Sequence, residues 1–373
     1  MKLPFSTSVH LDFLRGLASI LVVAGHLRYL FFPPFESLEH PGLFLTFFYY
    51  LSSFGHIAVI VFFVLSGFWI AASVSRGPLV EFSIVHFAAR RLSRLYIVVI
   101  PGLLLTAILD YAGMNIPRTA PFYYAPMEQF YGFVIAEQYG WNGFIGTLLF
   151  LQGIRSSIFG SNSALWSLTY EFWYYAVFGA LLVLFFRKKI LPKLLSAAFL
   201  LWAYNYIFHN LILARFAIWL LGVLALVLST RSWILGRKSL GLRLISLFSL
   251  GIFAIRPLYP RIGEFNADFI TGFFTWALVL GLIMLDNQTL PAAYTRFARL
   301  IAGFSFSLYV VHLPILVFIR ALISPIEKFS PSLPNLIVAT FIFLFTIACG
   351  HLFSLATEAN TKRLRNRMKS ITQ

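Results

Sequence analysis

The first apolar stretch, Leu11 to Leu27, holds three ionisable residues: Asp12, Arg15 and His26. An imidazole takes up and returns a proton near neutral pH, so His26 is a candidate general base. A guanidinium is permanently charged, so Arg15 puts a fixed charge low on the same helix. Arg15 and His26 are eleven residues apart, about three helical turns, which puts them on one face about 16 Å apart along the axis. Asp12, Ser19 and Val22 fall near the same stripe. Ionisable groups in a membrane span are costly and tend to face a protein interior or a wet cavity. The stretch therefore reads as one wall of a polar shaft. A plainer reading stays open, in which Asp12 neutralises Arg15 one turn away, Arg15 reaches toward the headgroups, and His26 is a hydrogen-bonded core residue.

A second group lies in the run SNSALWSLTYEFWYY, which contains Trp166, Ser167 and Glu171. Glu171 sits about 12 Å below the outer end of its span and His26 about 8 Å below the outer end of its own. At similar depth, a carboxylate beside an imidazole fixes its tautomer and supports the imidazolium. Ser163 and Ser167 share the Glu171 face; Glu171 serving only a packing role is the alternative. Arg90, Arg91 and Arg94 gather at the inner mouth of the third span. Arg91 and Arg94, at i and i+3, share a helix face and suit a phosphate clamp, or they simply mark the cytoplasmic side. His312, in FSFSLYVVHLPILVF, lies toward the outer half of its span with Pro314 nearby. It either lines the same cavity or is structural. Nothing in the chain has the form of a GxSxG elbow, a phosphate-binding glycine loop or metal-ligand spacing, so no metal is expected.

These residues must be positioned by membrane-spanning helices. The 373-residue chain is 60% hydrophobic and 11% charged, against about 25% charged in soluble proteins. An all-α polytopic membrane protein is expected, as a single domain over 1–373. Ten spans are expected near 10–31, 54–75, 95–113, 163–186, 190–208, 211–229, 239–255, 268–285, 300–323 and 333–357. Segment 42–52 either extends the second span or lies at the interface, and 141–153 reads as a re-entrant or interfacial piece. Most of the 29 Lys and Arg residues fall on one side when both termini are cytoplasmic. The net charge of +16 thus reflects topology and a basic cytoplasmic tail at 359–373, not nucleic-acid binding. The lone Cys349 leaves no disulfide within the chain. The outer loop from Met114 to Asn162 is rich in Tyr, Pro and Gly, a composition that suits either sugar contacts or interface anchors.

Three motifs resemble the acyltransferase-3 family of integral membrane acyltransferases, which includes O-antigen and Nod-factor O-acetyltransferases. They are the Arg-x10-His pattern of Arg15 and His26, FFVLSGF followed by RRLSR with Arg91 and Arg94, and LWSLTYEFWYY with Trp166, Ser167 and Glu171. SFSLYVVH before His312 is a weaker fourth. The chain departs from many members at Phe172 and Trp173, where a second acidic residue often stands, and in the late position of Pro101. The resemblance implies ten helices in a cell inner (plasma) membrane. It implies acetyl-CoA or another acyl-CoA as cytoplasmic co-substrate, and a carbohydrate or glycolipid acceptor outside or in the outer leaflet. It makes His26, Glu171 and Arg15 the catalytic candidates, and Arg90, Arg91 and Arg94 the donor-binding ones. Trp166, Ser167 and His312 are the substrate-binding candidates, with Trp166 and Ser167 either donating to the developing oxyanion or positioning the acceptor. A proton-coupled exporter or a non-enzymatic assembly partner would also use intramembrane Arg, His and Glu.

Overall fold

The computed structural model describes residues 4–75, 77–126, 133–231, 234, 236–285 and 288–361. Lys2, Arg76, Glu128 and the basic tail from Lys362 onward lie outside the described residues. Four helices open the chain: α1 (Phe5–Phe31), α2 (Leu43–Ser52), α3 (Gly55–Val74) and α4 (Ile84–Asn115). Three short helices, α5 (Ala120–Tyr124), α6 (Ile135–Gln138) and α7 (Trp141–Leu148), fold the long loop. Then come α8 (Trp166–Phe186), α9 (Ile190–Tyr206), α10 (Asn210–Ser229), α11 (Lys238–Ile255), α12 (Tyr259–Ile262) and α13 (Glu264–Met284). The chain closes with α14 (Ala292–Ile323) and α15 (Leu333–Ala356). The protein is all-α: among the described residues the only β pairing is two isolated bridges.

Nine helical stretches among the described residues are long and apolar enough to cross a membrane. The tenth expected span, 190–208, forms α9, whose 17 residues rise only about 25 Å, against a hydrocarbon core of about 30 Å. Both α4 and α14 run 32 residues, beginning well before the apolar segments that mark them in the sequence. Their extra turns carry Arg90, Arg91 and Arg94 in α4 and Arg296 and Arg299 in α14. Hydropathy cannot see a helix that continues into charged positions. Segment 42–52 is a separate helix, α2, and 141–148 forms α7.

The chain forms two compact units. The first comprises 1–18, 57–91 and 170–302. Its core gathers Leu11, Leu65, Phe68, Ala225, Leu226, Val279 and Ile283, all buried. Here α3 and α10 meet backbone to backbone: a Cβ on Gly67 would overlap the Trp219 carbonyl, and one on Gly222 the Val64 carbonyl. Small residues let spanning helices approach this closely, and van der Waals contact then supplies the attraction that lipid cannot. The unit also buries Arg215, whose Nη2 meets Glu264 at 2.5 Å and Asp268 at 3.0 Å.

The second unit comprises 19–56, 92–169 and 303–373. The far end of the long loop is anchored in it. Asp110 is fully buried and accepts from the Ser161 backbone N–H at 2.7 Å and hydroxyl at 2.8 Å. Pro314 lies inside α14 and has no N–H, so the carbonyl of Val310, four residues back, loses its helical donor. Asn162 supplies one instead, its amide donating to Val310 O at 3.0 Å and to Thr106 Oγ1 at 3.0 Å. The residues leading into α8 are thereby fixed against α14.

Candidate active site

In the second unit α1 presents His26 to His312 of α14. Their rings lie 5.0 Å apart, with His312 Nε2 3.0 Å from His26 Nδ1. Close approach around His26 is permitted by two glycines: a Cβ on Gly25 would come within 3.2 Å of the Gly55 Cα. His312 is fully buried, whereas His26 is half-buried.

The neighbours assign the protons. His312 Nδ1 faces two carbonyl oxygens, Tyr309 at 2.8 Å and Leu308 at 3.2 Å. A carbonyl only accepts, so this nitrogen carries the hydrogen. In a neutral ring Nε2 is then an acceptor, and His26 Nδ1 must donate to it. The same Nδ1–H is 3.1 Å from Val22 O, a second acceptor that favours the same tautomer. The lone pair of His26 therefore sits on Nε2, the nitrogen that serves as a base.

Tyr309, which holds His312 through its carbonyl, is itself clamped. Its hydroxyl donates to Ala164 O at 2.7 Å and accepts from Ser167 Oγ at 2.5 Å. Ser167 is buried, so its proton points along this chain. Trp166 stacks on His56, with ring centroids 6.4 Å apart and planes 18° apart. Arg94 Nη2 lies 3.9 Å from Glu358 Oε1 and keeps 43% of its side chain exposed. Glu358 also accepts from the Ser307 N–H and hydroxyl, each at 3.2 Å.

In the first unit the Glu171 carboxylate accepts hydrogen bonds from Ser66 and Tyr175. Trp219 Nε1 donates to Ser66 Oγ at 3.1 Å, a reach made possible by the close α3–α10 packing beside Gly67. Two motifs read separately in the sequence, FFVLSGF and LWSLTYEFWYY, thus meet through Ser66 and Glu171. Arg15 pairs with Asp12 at 3.3 Å and donates to Ala302 O at 3.1 Å. Arg91 Nη2 donates to Ser73 Oγ at 2.6 Å, with its guanidinium 5.6 Å from the Phe87 ring. Arg90 is exposed.

The structure brings His26 and His312 together, and links Ser167 to His312 through Tyr309. Glu171 belongs to the other unit and takes its hydrogen bonds from hydroxyls. Sequence reasoning missed Tyr309, Ser66, Tyr175 and Glu358. Tyr309 had a readable signal, since it stands three residues before His312 and so within reach of its ring. Ser66 stands in FFVLSGF, but nothing in the spacing tied it to Glu171.

A family model described as an acyltransferase domain matches residues 9–355. No curated protein and no solved structure matches the chain.

Proposed function

From a chain that belongs to the acyltransferase-3 family, and is therefore a multi-pass membrane acyltransferase, we propose a membrane O-acyltransferase that uses His26 as its base. Its donor is a cytoplasmic acyl-CoA, acetyl-CoA in the first instance. Its acceptor is a hydroxyl of an extracytoplasmic or lipid-linked carbohydrate, and its seat is the inner (plasma) membrane. The observation that carries the reading is the bond between His26 Nδ1 and His312 Nε2, which leaves the basic lone pair on His26 Nε2.

The chemistry follows. His26 Nε2 takes the proton of the acceptor hydroxyl as its oxygen attacks the thioester carbonyl. The tetrahedral intermediate collapses, the carbon–sulfur bond breaks, and the imidazolium returns the proton to the leaving CoA thiolate. His312 accepts a hydrogen bond from His26 Nδ1–H throughout, and that bond strengthens as positive charge develops. An acyl-histidine on His26 is the two-step variant of the same site. Buried, with both ring nitrogens engaged by Tyr309 and His26, His312 is a positioning residue and not a substrate contact. Arg91 and Arg94 take the donor phosphates, with Arg90 adding charge at the same mouth. Trp166, stacked on His56 in the same unit as His26, supplies an aromatic face for the acceptor.

The test is transfer of label from acetyl-CoA to an envelope glycan fraction by the purified full-length protein. His26→Ala is expected to slow transfer about a hundred- to ten-thousandfold while the protein stays inserted and folded. Normal transfer in that variant refutes the proposal.

A further inference from the structure

The second unit contains a buried cation that the mechanism above does not use. Arg320, near the end of α14, is 3% exposed. Its Nε donates to Leu30 O at 3.0 Å, and its guanidinium carbon lies 5.4 Å from the Phe122 ring. Its Nη1 is buried with no hydrogen-bond partner among the described residues, and no described carboxylate forms an ion pair with it.

Part of this has a structural account. Leu30 stands in the last turn of α1, where carbonyls lack helical donors, and Lys328 treats the neighbouring Tyr29 carbonyl in the same way at 3.2 Å. Capping a carbonyl, however, needs one neutral donor. A full guanidinium with a leftover buried N–H is an expensive cap, because a buried charge is costly unless an opposite charge meets it. The planar fork that remains suits an oxyanion. Leu30 is one helical turn from His26 on α1, about 6 Å along the axis, and Arg320 is eight residues beyond His312 on α14, about 12 Å, so the cation and the base are about one to two sugar rings apart along these helices.

We propose that Arg320 receives an anionic group, a carboxylate or a phosphate, carried by the acceptor within about one to two sugar rings of the hydroxyl that is acylated. The inference rests on the acyl-transfer reading of His26 and narrows its acceptor to acidic carbohydrates. Nε stays on the Leu30 carbonyl while the Nη groups meet the anion. The fork then orients the acceptor so that one of its hydroxyls faces His26 Nε2.

Binding is measured on the full-length protein in detergent, without CoA, by calorimetry. The probes are methyl β-glucuronide, glucose 6-phosphate and the neutral methyl β-glucoside. The wild type and His26→Ala are expected to bind at least one acidic probe about ten- to a hundredfold more tightly than the neutral one. Which acidic probe wins separates a uronic acid from a sugar phosphate. Arg320→Gln is expected to lose the preference. Arg320→Lys, which keeps the charge but not the fork and so guards against a misfolded Gln variant, is expected to lose part of it. Equal binding of all three probes, no binding of either acidic one, or a preference unchanged in the Arg320 variants overturns the inference. Normal transfer by His26→Ala would sink the base assignment while leaving this preference intact, so the two failures are distinguishable.

Discussion

Replacing His312 isolates what its imidazole does for His26. The ring accepts one hydrogen bond from His26 Nδ1 at 3.0 Å and is fully buried. His312→Phe keeps a ring in the packed space and removes the acceptor, leaving that N–H to Val22 O at 3.1 Å. In the transition state of the proposed reaction His26 becomes an imidazolium. The lost interaction is therefore a hydrogen bond to a charged group, about 1.5–3 kcal/mol. At about 1.4 kcal/mol per tenfold, kcat should fall by about ten- to 150-fold, with KM for acyl-CoA little changed. His26→Ala should cost more, about a hundred- to ten-thousandfold, the usual worth of a general base. His312→Gln restores an acceptor oxygen and should recover activity to within about tenfold of the wild type. Because His312 acts only through His26, the His26→Ala, His312→Phe double variant should be no slower than His26→Ala alone. The assay is steady-state transfer from labelled acetyl-CoA, with each variant first shown to be folded by thermal melting in detergent. Full activity in His312→Phe, or strictly additive losses in the double variant, would refute the tautomer argument.

Two further outcomes follow from cations that already have protein partners. Arg91→Gln and Arg94→Gln should each raise KM for acyl-CoA by about tenfold while kcat holds, since on the proposed reading each removes one charge-assisted phosphate contact; a kcat loss at unchanged KM would place these residues elsewhere in the reaction. Arg215 is buried against Asp268 and Glu264, so Arg215→Met strands the Asp268 carboxylate in the core and should cost about 3–5 kcal/mol of stability, read as a lower melting temperature. Pairing it with Asp268→Asn should recover part of that loss, and no recovery would mean that the ion pair is not what the arginine supplies.

The sequence revealed depth along each helix far better than rotation about it. Charge content and apolar runs separated the spans because lipid imposes that pattern on any membrane chain. They failed where helices continue into charged positions, which is why α4 and α14 extend past their expected starts through arginine-bearing turns, and an apolar run alone did not fix the 17-residue length of α9. Arg15 and His26 were recognisable because they stand alone in an apolar run. His312 was recognisable for the same reason. Its partner was not, because the 3.6-residue repeat says which residues share a face of one helix but not which neighbouring helix that face meets.

Tyr309 and Pro314 carry that missing information in physical form. Pro314 removes a backbone donor, and the orphaned Val310 carbonyl attracts Asn162, tying α14 to the residues just ahead of Ser167. Ser167 then donates to Tyr309, whose carbonyl fixes His312. The tautomer of His26 is thus set by backbone carbonyls of α14, and the WSL stretch secures the residue that provides one of them. On this view a change at Ser167 disturbs catalysis through ring orientation and not through loss of a donor to the oxyanion. The hydroxyl already spends its proton on Tyr309, and a buried donor cannot serve two acceptors at full strength.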